Sequence, residues 1–299
     1  METHRSTRCL PESLGIYVEA DSQYRSKIES QRKKALKLQR VGGHVDLKKS
    51  LRRIRRGVSL LVTGKISRGY CTICEKTVFF AKVGPWLRDQ YICLSCSSIP
   101  RNRALVQVLQ QHFPSWRDLH IHESSPGGIS SDKMRRECRN LVTSQYFLDV
   151  PRGEVRDGVY SEDLESLTFP DNSFDLVITQ DVFEHILRPQ KAFAEIARTL
   201  KTDGAHVFTV PYYRGQKTVI RARAKESGEI EYLLKPDYHG NPIDPEGSLV
   251  ITEWGDEICD FIFAASGMTT TIFSFFDKKL GLEGEFLDVF VSSRVTAPR

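Results

Sequence analysis

Apolar and polar positions along this chain follow two periods, and the change between them falls near residue 118. Upstream the spacing is helical. Tyr24, Ile28, Ala35 and Leu38 recur among charged residues and predict a helix over 22–40, which Gly42 and Gly43 end. Leu47, Leu51, Ile54, Val58 and Leu61 predict a second helix over 47–62, with Arg52, Arg53, Arg55 and Arg56 toward its other side. Residues 1–20 show no clear pattern, and 64–69 read as a linker. Leu105, Val108 and Leu109 predict a helix over 101–112 that stops before Pro114.

Downstream, short apolar runs alternate with helical patterns. His120 opens a strand that runs into the turn Ser124-Ser125-Pro126-Gly127-Gly128, and a charged helix is predicted over 131–139. Strands are predicted at 141–147, 158–161, 174–179 and 205–210. Between the last two, Ala192, Phe193, Ile196, Ala197 and Leu200 mark the inward face of a helix over 189–200, with Lys201 to Gly204 as its C-terminal turn. A helix over 257–266 precedes two alternating strands, 269–276 and 286–292, that read as a closing hairpin. This order predicts the α/β class: a mainly parallel sheet with helices on both faces.

Composition narrows the picture. The chain has 299 residues, 40% hydrophobic and 27% charged, which excludes a wholly disordered protein. No apolar run approaches the ~20 residues of a membrane-crossing helix, and the N-terminus lacks the apolar core of a secretory signal. The net charge of +5 conceals an asymmetry. Residues 1–68 hold 17 Lys and Arg against 6 Asp and Glu, whereas the remainder is mildly acidic. The basic segment reads either as a solvated helical leader or as a foot for an anionic partner, with RNA and an acidic membrane surface as the candidates.

The seven cysteines favour a reducing compartment over a disulfide framework, so a cytoplasmic location is expected, with peripheral membrane attachment as the variant. Four of them form two pairs, Cys71/Cys74 and Cys93/Cys96, separated by 18 residues. Each Cys-x-x-Cys bends the chain so that two thiolates meet one ion, and the second pair completes a tetrahedron. This spacing predicts a zinc ribbon, with iron as the other ion that four thiolates suit. Four thiolates leave no open position, so the expected role is structural. Cys9, Cys138 and Cys259 have no partner at metal-binding spacing.

The run from residue 121 to 213 resembles class I S-adenosylmethionine-dependent methyltransferases of the type 11 group. The resemblance is carried by the Gly-rich turn after the first strand, by Asp163-Leu164, by Phe169-Pro170-Asp171-Asn172-Ser173-Phe174-Asp175-Leu176-Val177, by Glu184-His185, and by Val210-Pro211. It implies a Rossmann-like seven-stranded sheet. It also implies a cofactor site at Glu123 near the methionine amine, Ser125, Pro126, Gly127 and Gly128 in the turn, Gln145 at the ribose, Asp163 and Leu164 at the adenine, and Gln180 after the fourth strand. The sequence departs from the family pattern at three of its expected positions. Ser125 and Ile129 replace the usual first and third glycines, and Gln145 replaces an acid that accepts both ribose hydroxyls. A dinucleotide-binding Gly-x-Gly-x-x-Gly is missing.

Methyl transfer to a hydroxyl needs alignment and a proton acceptor. The expected base is His185, with Asp181 as the alternative. Residues 212–250 are polar, interrupt the strand–helix order and read as an insertion or lid, in which Tyr212, Tyr213, Tyr238 and His239 are the expected substrate contacts. The resulting layout is a basic helical segment at 1–68, a zinc ribbon at 69–100 and a methyltransferase domain at 101–299. The expected activity is methylation of a hydroxyl on a glycan or small molecule. The alternatives are an RNA base methyltransferase that uses the zinc module and basic arm, and an inactive methyltransferase-like scaffold.

Overall fold

A computed structural model describes residues 3–9, 65–225, 227, 229–240 and 246–294. The helices predicted over 22–40 and 47–62 lie outside the described residues. In chain order the strands are β1 (Thr3–Cys9), β2 (Ile66–Cys71), β3 (Lys76–Lys82), β4 (Tyr91–Cys93), β5 (His120–Ser124), β6 (Asn140–Gln145), β7 (Val155–Arg156), β8 (Val159–Ser161), β9 (Phe174–Gln180) and β10 (Leu200–Thr209). Six short strands follow: β11 (Val219–Ile220), β12 (Ala222–Ala224), β13 (Ile230–Tyr232), β14 (Tyr238–His239), β15 (Ser248–Leu249) and β16 (Thr252–Glu253). β17 (Met268–Phe276) and β18 (Val289–Arg294) close the chain. The helices are α1 (Leu87–Gln90), α2 (Pro100–His112), α3 (Gly128–Glu137), α4 (Pro189–Thr199) and α5 (Ile258–Ser266).

The main sheet runs β1-β17-β18-β10-β9-β5-β6-β8-β7. β8, β6, β5, β9 and β10 are parallel, and the hairpin of β17 and β18 joins β10 antiparallel. Seven of these strands, β8-β6-β5-β9-β10-β18-β17, form the expected Rossmann-like sheet. The basic segment also contributes something unexpected. Thr3–Cys9 pairs antiparallel with β17, from Thr3 opposite Phe276 to Cys9 opposite Thr270, so part of this segment is strand rather than helix.

Two apolar layers sandwich the sheet. On one face α4 and α5 bury Phe193, Ile196, Ile258 and Ile262 against Val177 and Phe208. On the other, α2 and α3 bury Leu105, Leu109 and Met134 with Trp116 against Ile121, Ile178 and Val207. Pro100 and Pro189 stand at the first turns of α2 and α4, where a missing N–H costs nothing. α3 begins directly at the Gly-rich turn, three residues earlier than its charge pattern implies. β10 absorbs the Lys201–Gly204 stretch, read above as a helix-ending turn, by a register shift between Leu200 and Ala205.

Residues 66–69, read above as part of a linker, belong instead to β2, the first strand of the cysteine module, a three-stranded sheet of β2, β3 and β4. The module has its own small core of Ile73, Val78, Phe80 and Tyr91, into which Val106 of α2 projects. Consequently α2 is buried on both sides, and Arg103, fully buried, lies over the Phe80 ring at 4.6 Å. Its guanidinium donates to the carbonyls of Tyr91 at 2.7 Å and Gly281 at 2.6 Å, which ties the module to the loop between β17 and β18. Glu75 adds a second tie by accepting from Lys133 at 2.9 Å and from Arg117 at 2.5 Å.

The same loop supports β2 through Tyr70 N–H, which donates to the Lys279 carbonyl at 2.7 Å. A Cβ at Gly69 would lie 2.1 Å from that carbonyl oxygen. Gly69→Ala should therefore push the module off the closing loop and lower unfolding free energy by about 1–3 kcal/mol, measured by urea denaturation.

Candidate active site and cysteine centre

The two cysteine pairs share one turn. In each, the N–H four residues on bonds back to the first cysteine's carbonyl: Glu75 to Cys71 at 2.7 Å and Ser97 to Cys93 at 2.9 Å. Glu75 and Ser97 both adopt left-handed backbone, with φ of 55° and 62°. Further N–H groups point at sulfur, Cys74 N–H to Cys71 Sγ and Ser95 N–H to Cys93 Sγ. The Sγ atoms of Cys71 and Cys96 are 3.8 Å apart, as are those of Cys74 and Cys93, and all four lie within 4.8 Å of one another. An ion bonded to four thiolates at about 2.3 Å sets neighbouring sulfurs about 3.8 Å apart. The donor set and its spacing therefore fit a tetrahedral thiophilic ion.

At the carboxyl edge of the main sheet, Glu123 is the penultimate residue of β5 and is buried. Its Oε1 accepts from Ser131 Oγ and, at 3.1 Å, from Gln180 Nε2. Ser131 in turn accepts from Gly127 N–H at 2.8 Å. Gln180 Oε1 accepts from Ser130 Oγ at 2.8 Å, and Ser130 from Asn102 Nδ2 at 3.0 Å. A buried polar network thus joins Glu123, the Gly-rich turn and Gln180, three of the positions expected at a cofactor. Burial pushes the Glu123 carboxyl up to about 7. Its Oε2 is buried without a hydrogen-bond partner among the described residues. The space beyond the Gly127 Cα is open within 4 Å. Ser125 holds φ of 55°, so the conformation that glycine usually supplies survives without it.

Gln145 ends β6 and pairs with Ser161, which places it beside the turn that carries Asp163. Asp163 Oδ1 accepts from Glu165 N–H at 2.8 Å, and Leu164 is buried in the core beneath. Pro126 and Gly128 complete the turn, with Gly128 at φ of 75°.

Asp181 follows Gln180 with φ of 53°. Its Oδ2 accepts from Arg88 Nη2 at 2.6 Å and from Arg101 Nη1, and its Oδ1 accepts from Thr209 Oγ1 at 3.0 Å. The adjacent guanidiniums of Arg88 and Arg101 hold this carboxyl well below the usual carboxylate range, against the opposing effect of burial. Both oxygens are engaged and the group resists protonation, so the geometry disfavours Asp181 as a proton acceptor. Its role is to fasten the cysteine module, through α1 and the start of α2, to the edge of the sheet.

Among the described residues, the stretch read as an insertion and the segment just past residue 250 form three two-stranded ribbons: β11 with β16, β12 with β13, and β14 with β15. The segment from β14 to β16 packs on the short turn Phe183–His185 that follows β9. Ile251 N–H donates to the Glu184 carbonyl at 2.7 Å, and the Leu249 carbonyl lies 2.8 Å from His185 Nδ1. That bond assigns the ring proton to Nδ1 and leaves Nε2 with a lone pair. His239 reaches the same turn, its ring 4.9 Å from that of His185. Tyr238 is exposed, and Tyr213 packs on Phe286. Tyr212 does not fit the substrate role expected of it: it is buried in the core, and its hydroxyl donates to Asp256 Oδ1 at 2.6 Å. Its place next to an aromatic neighbour in an apparent loop gave no sign of this.

Sequence reasoning missed Arg88, Arg101, Asn102, Ser130, Ser131 and the side chain of Glu184. The first five carry no spacing signal, because they reach the site across elements distant in sequence. Glu184 was visible in the Glu-His pair but offered no role by itself.

Residues 127–208 match the family model described as a methyltransferase domain. This span runs from the Gly-rich turn to the end of β10. Together with the strand order, it defines an α/β protein with a methyltransferase-type sheet. No curated protein matches the chain at a significant level. Among solved structures, the S-adenosylmethionine-dependent methyltransferase from Mesorhizobium loti is 16% identical, covering 63% of this chain and 96% of that one, with a TM-score of 0.41. The 1,6-didemethyltoxoflavin-N1-methyltransferase from Burkholderia thailandensis, bound to S-adenosylhomocysteine, is 14% identical over 64% of this chain and 76% of that one, with a TM-score of 0.36. YcgJ from Bacillus subtilis is 21% identical over 36% of this chain, with a TM-score of 0.30. The chain spans only 52% of YcgJ, about half its length. These likenesses are too slight to bear on activity. Among the described residues no helix is long and apolar enough to cross a membrane.

Breaking the Asp181 anchor should be costly. Asp181→Asn leaves the Arg88 guanidinium, whose side chain is only 8% exposed, without its carboxylate. Urea unfolding should register a loss of about 3 kcal/mol or more, whereas an exposed ion pair would give less than about 1.

Proposed function

We propose that this protein is an S-adenosylmethionine-dependent methyltransferase acting on a hydroxyl acceptor. The observation that carries the reading is the buried Glu123 carboxylate. One oxygen is fixed by Ser131 and Gln180, the other is unpartnered, and both sit beside an open Gly-rich turn within the matched segment. A cationic amine is the natural partner for that second oxygen. Bound there, the cofactor would supply a methyl carbon made electrophilic by its sulfonium.

The chain's own residues divide the remaining work. Glu123 and the backbone from Ser125 to Gly128 would hold the methionine end. Gln145 would take one ribose hydroxyl with its amide, and Asp163 with Leu164 would border the adenine. Gln180 would orient Glu123 and line the reacting centre. His185 Nε2 lies where the ribbons close on the sheet edge, and His185, the base expected from the sequence, rather than the alternative Asp181, would ease loss of the acceptor proton. Tyr213, Tyr238 and His239 would contact the acceptor. The favoured acceptor remains a glycan or small molecule. Salt-sensitive methylation of RNA, lost when Arg52, Arg53, Arg55 and Arg56 are changed to Gln, would instead select the nucleic-acid reading.

Calorimetric titration with S-adenosylhomocysteine tests the site. Binding is expected at one site per chain. Because Glu123 is pushed up to about 7 by burial, the free protein holds a proton there that the cofactor's ammonium displaces. Affinity should therefore rise with pH between about 6 and 8, with proton release into the buffer, and Glu123→Gln should lose both the affinity and the pH dependence. Absence of binding by the wild-type chain would point to the inactive scaffold. His185→Ala should lower turnover about 100-fold while leaving this titration unchanged.

We further propose that Cys71, Cys74, Cys93 and Cys96 hold one structural zinc. Elemental analysis should find about one zinc per chain, and Cys93→Ser should release it and destabilise the fold. A metal-free chain of full stability would contradict this.

A further inference from the structure

Glu184 is 1% exposed, yet neither carboxylate oxygen has a hydrogen-bond partner among the described residues. An uncompensated carboxylate at that depth is costly. Two imidazoles face it. His185 Nε2 lies 3.7 Å from Glu184 Oε1, and His239 Nδ1 lies 3.6 Å from the same oxygen. Both distances are too long for hydrogen bonds. With Nδ1–H committed to the Leu249 carbonyl, His185 directs Nε2 at this carboxylate, so a cation lying between them could take both as ligands. The Arg88 guanidinium bonds to Asp181 and reaches Glu184 only through its charge.

The three donors lie within 4.8 Å of one another. Donors bonded at about 2.0–2.2 Å to one ion stand about 3.3–3.6 Å apart at tetrahedral angles and about 4.3 Å apart when opposite. The His185 and His239 side chains are 18% and 19% exposed, so the cluster opens to solvent on the imidazole side. Ribbon β14–β15 delivers His239 and the segment after β9 delivers Glu184 and His185, so the site exists only when the ribbons are folded onto the sheet edge.

We propose that Glu184, His185 and His239 form a second metal site, distinct from the four cysteines, for a divalent cation of the manganese-to-zinc series. Two imidazoles and one carboxylate suit that series and leave open positions. This deepens the methyltransferase reading, on which it rests only for what the cation does. A cation there takes the acceptor oxygen at an open position and eases loss of its proton to solvent. The oxygen's electron pair then forms the C–O bond as the methyl C–S bond breaks, giving a methyl ether and S-adenosylhomocysteine. His185 acts as a ligand in this scheme, and the cation does what a free base would.

The test is titration of the full-length, zinc-loaded protein with Mn2+, followed by the loss of the free Mn2+ electron paramagnetic resonance signal. Manganese is the weakest competitor for thiolates, so its uptake reports the imidazole–carboxylate site. The wild type should bind about one Mn2+, and His239→Ala and Glu184→Gln should each weaken it by at least about tenfold. His239 is partly exposed whereas Glu184 is buried, so the His239 variant serves if loss of Glu184 impairs folding. Titration with S-adenosylhomocysteine, run alongside, separates the two claims. Cofactor binding without Mn2+ uptake, or uptake unchanged in a folded His239→Ala protein, overturns the metal site and leaves the methyltransferase reading standing. Mn2+ uptake without cofactor binding upholds the site and removes that reading.

Discussion

One carboxylate fixes how this molecule is put together. Asp181 sits at the tip of β9 with its oxygens taken by Arg88, Arg101 and Thr209. Charges so deeply placed are tolerable only when paired and hydrogen-bonded, so the guanidiniums must arrive together with the acid. Arg88 comes from the cysteine module and Arg101 from the first turn of α2. The ion pair therefore makes the module, α2 and the carboxyl edge of the sheet one cooperative unit. Arg103 and Glu75 reinforce the same union from two other directions.

This union bears on function because Asp181 adjoins Gln180. Gln180 is held in register with Glu123, Ser130 and Asn102, and Asn102 lies beside Arg101 on α2. The element that carries the anchor thus also carries the far end of the polar network. On the opposite side, the ribbons seal the segment after Asp181 by bonding to Glu184 and His185. A cofactor pocket and an acceptor pocket on either side of Gln180 and Asp181 would share this support.

Much of this was legible in the residues. The short apolar runs of β9 and β10 and the apolar stripe of α4 gave the sheet and its layers, because strands covered on both faces are buried along most of their length and the helix buries the face that its spacing marks. The cysteine pairs gave the module, because two such turns can converge on one ion. What stayed hidden depends on contacts between distant elements. β1 carries mostly polar residues, so only pairing along β17 defines it. Arg103 and Asp181 look like surface charges until the module covers them. Tyr212 resembles a loop aromatic until Asp256 and the core claim it. The Glu184–His239 contact joins positions that only the folded ribbons bring together.

If the anchor organises the site, binding at the proposed cofactor site depends on the module being folded. The direct measurement is S-adenosylhomocysteine affinity of the full-length chain before and after a chelator removes the zinc proposed at the four cysteines, at a temperature where circular dichroism shows the main sheet intact. Affinity should fall at least about tenfold, since loss of the module withdraws Arg88 from Asp181 and frees Gln180 to move. Unchanged affinity in the stripped protein would show that the sheet edge holds its shape without the module, and the account would be wrong.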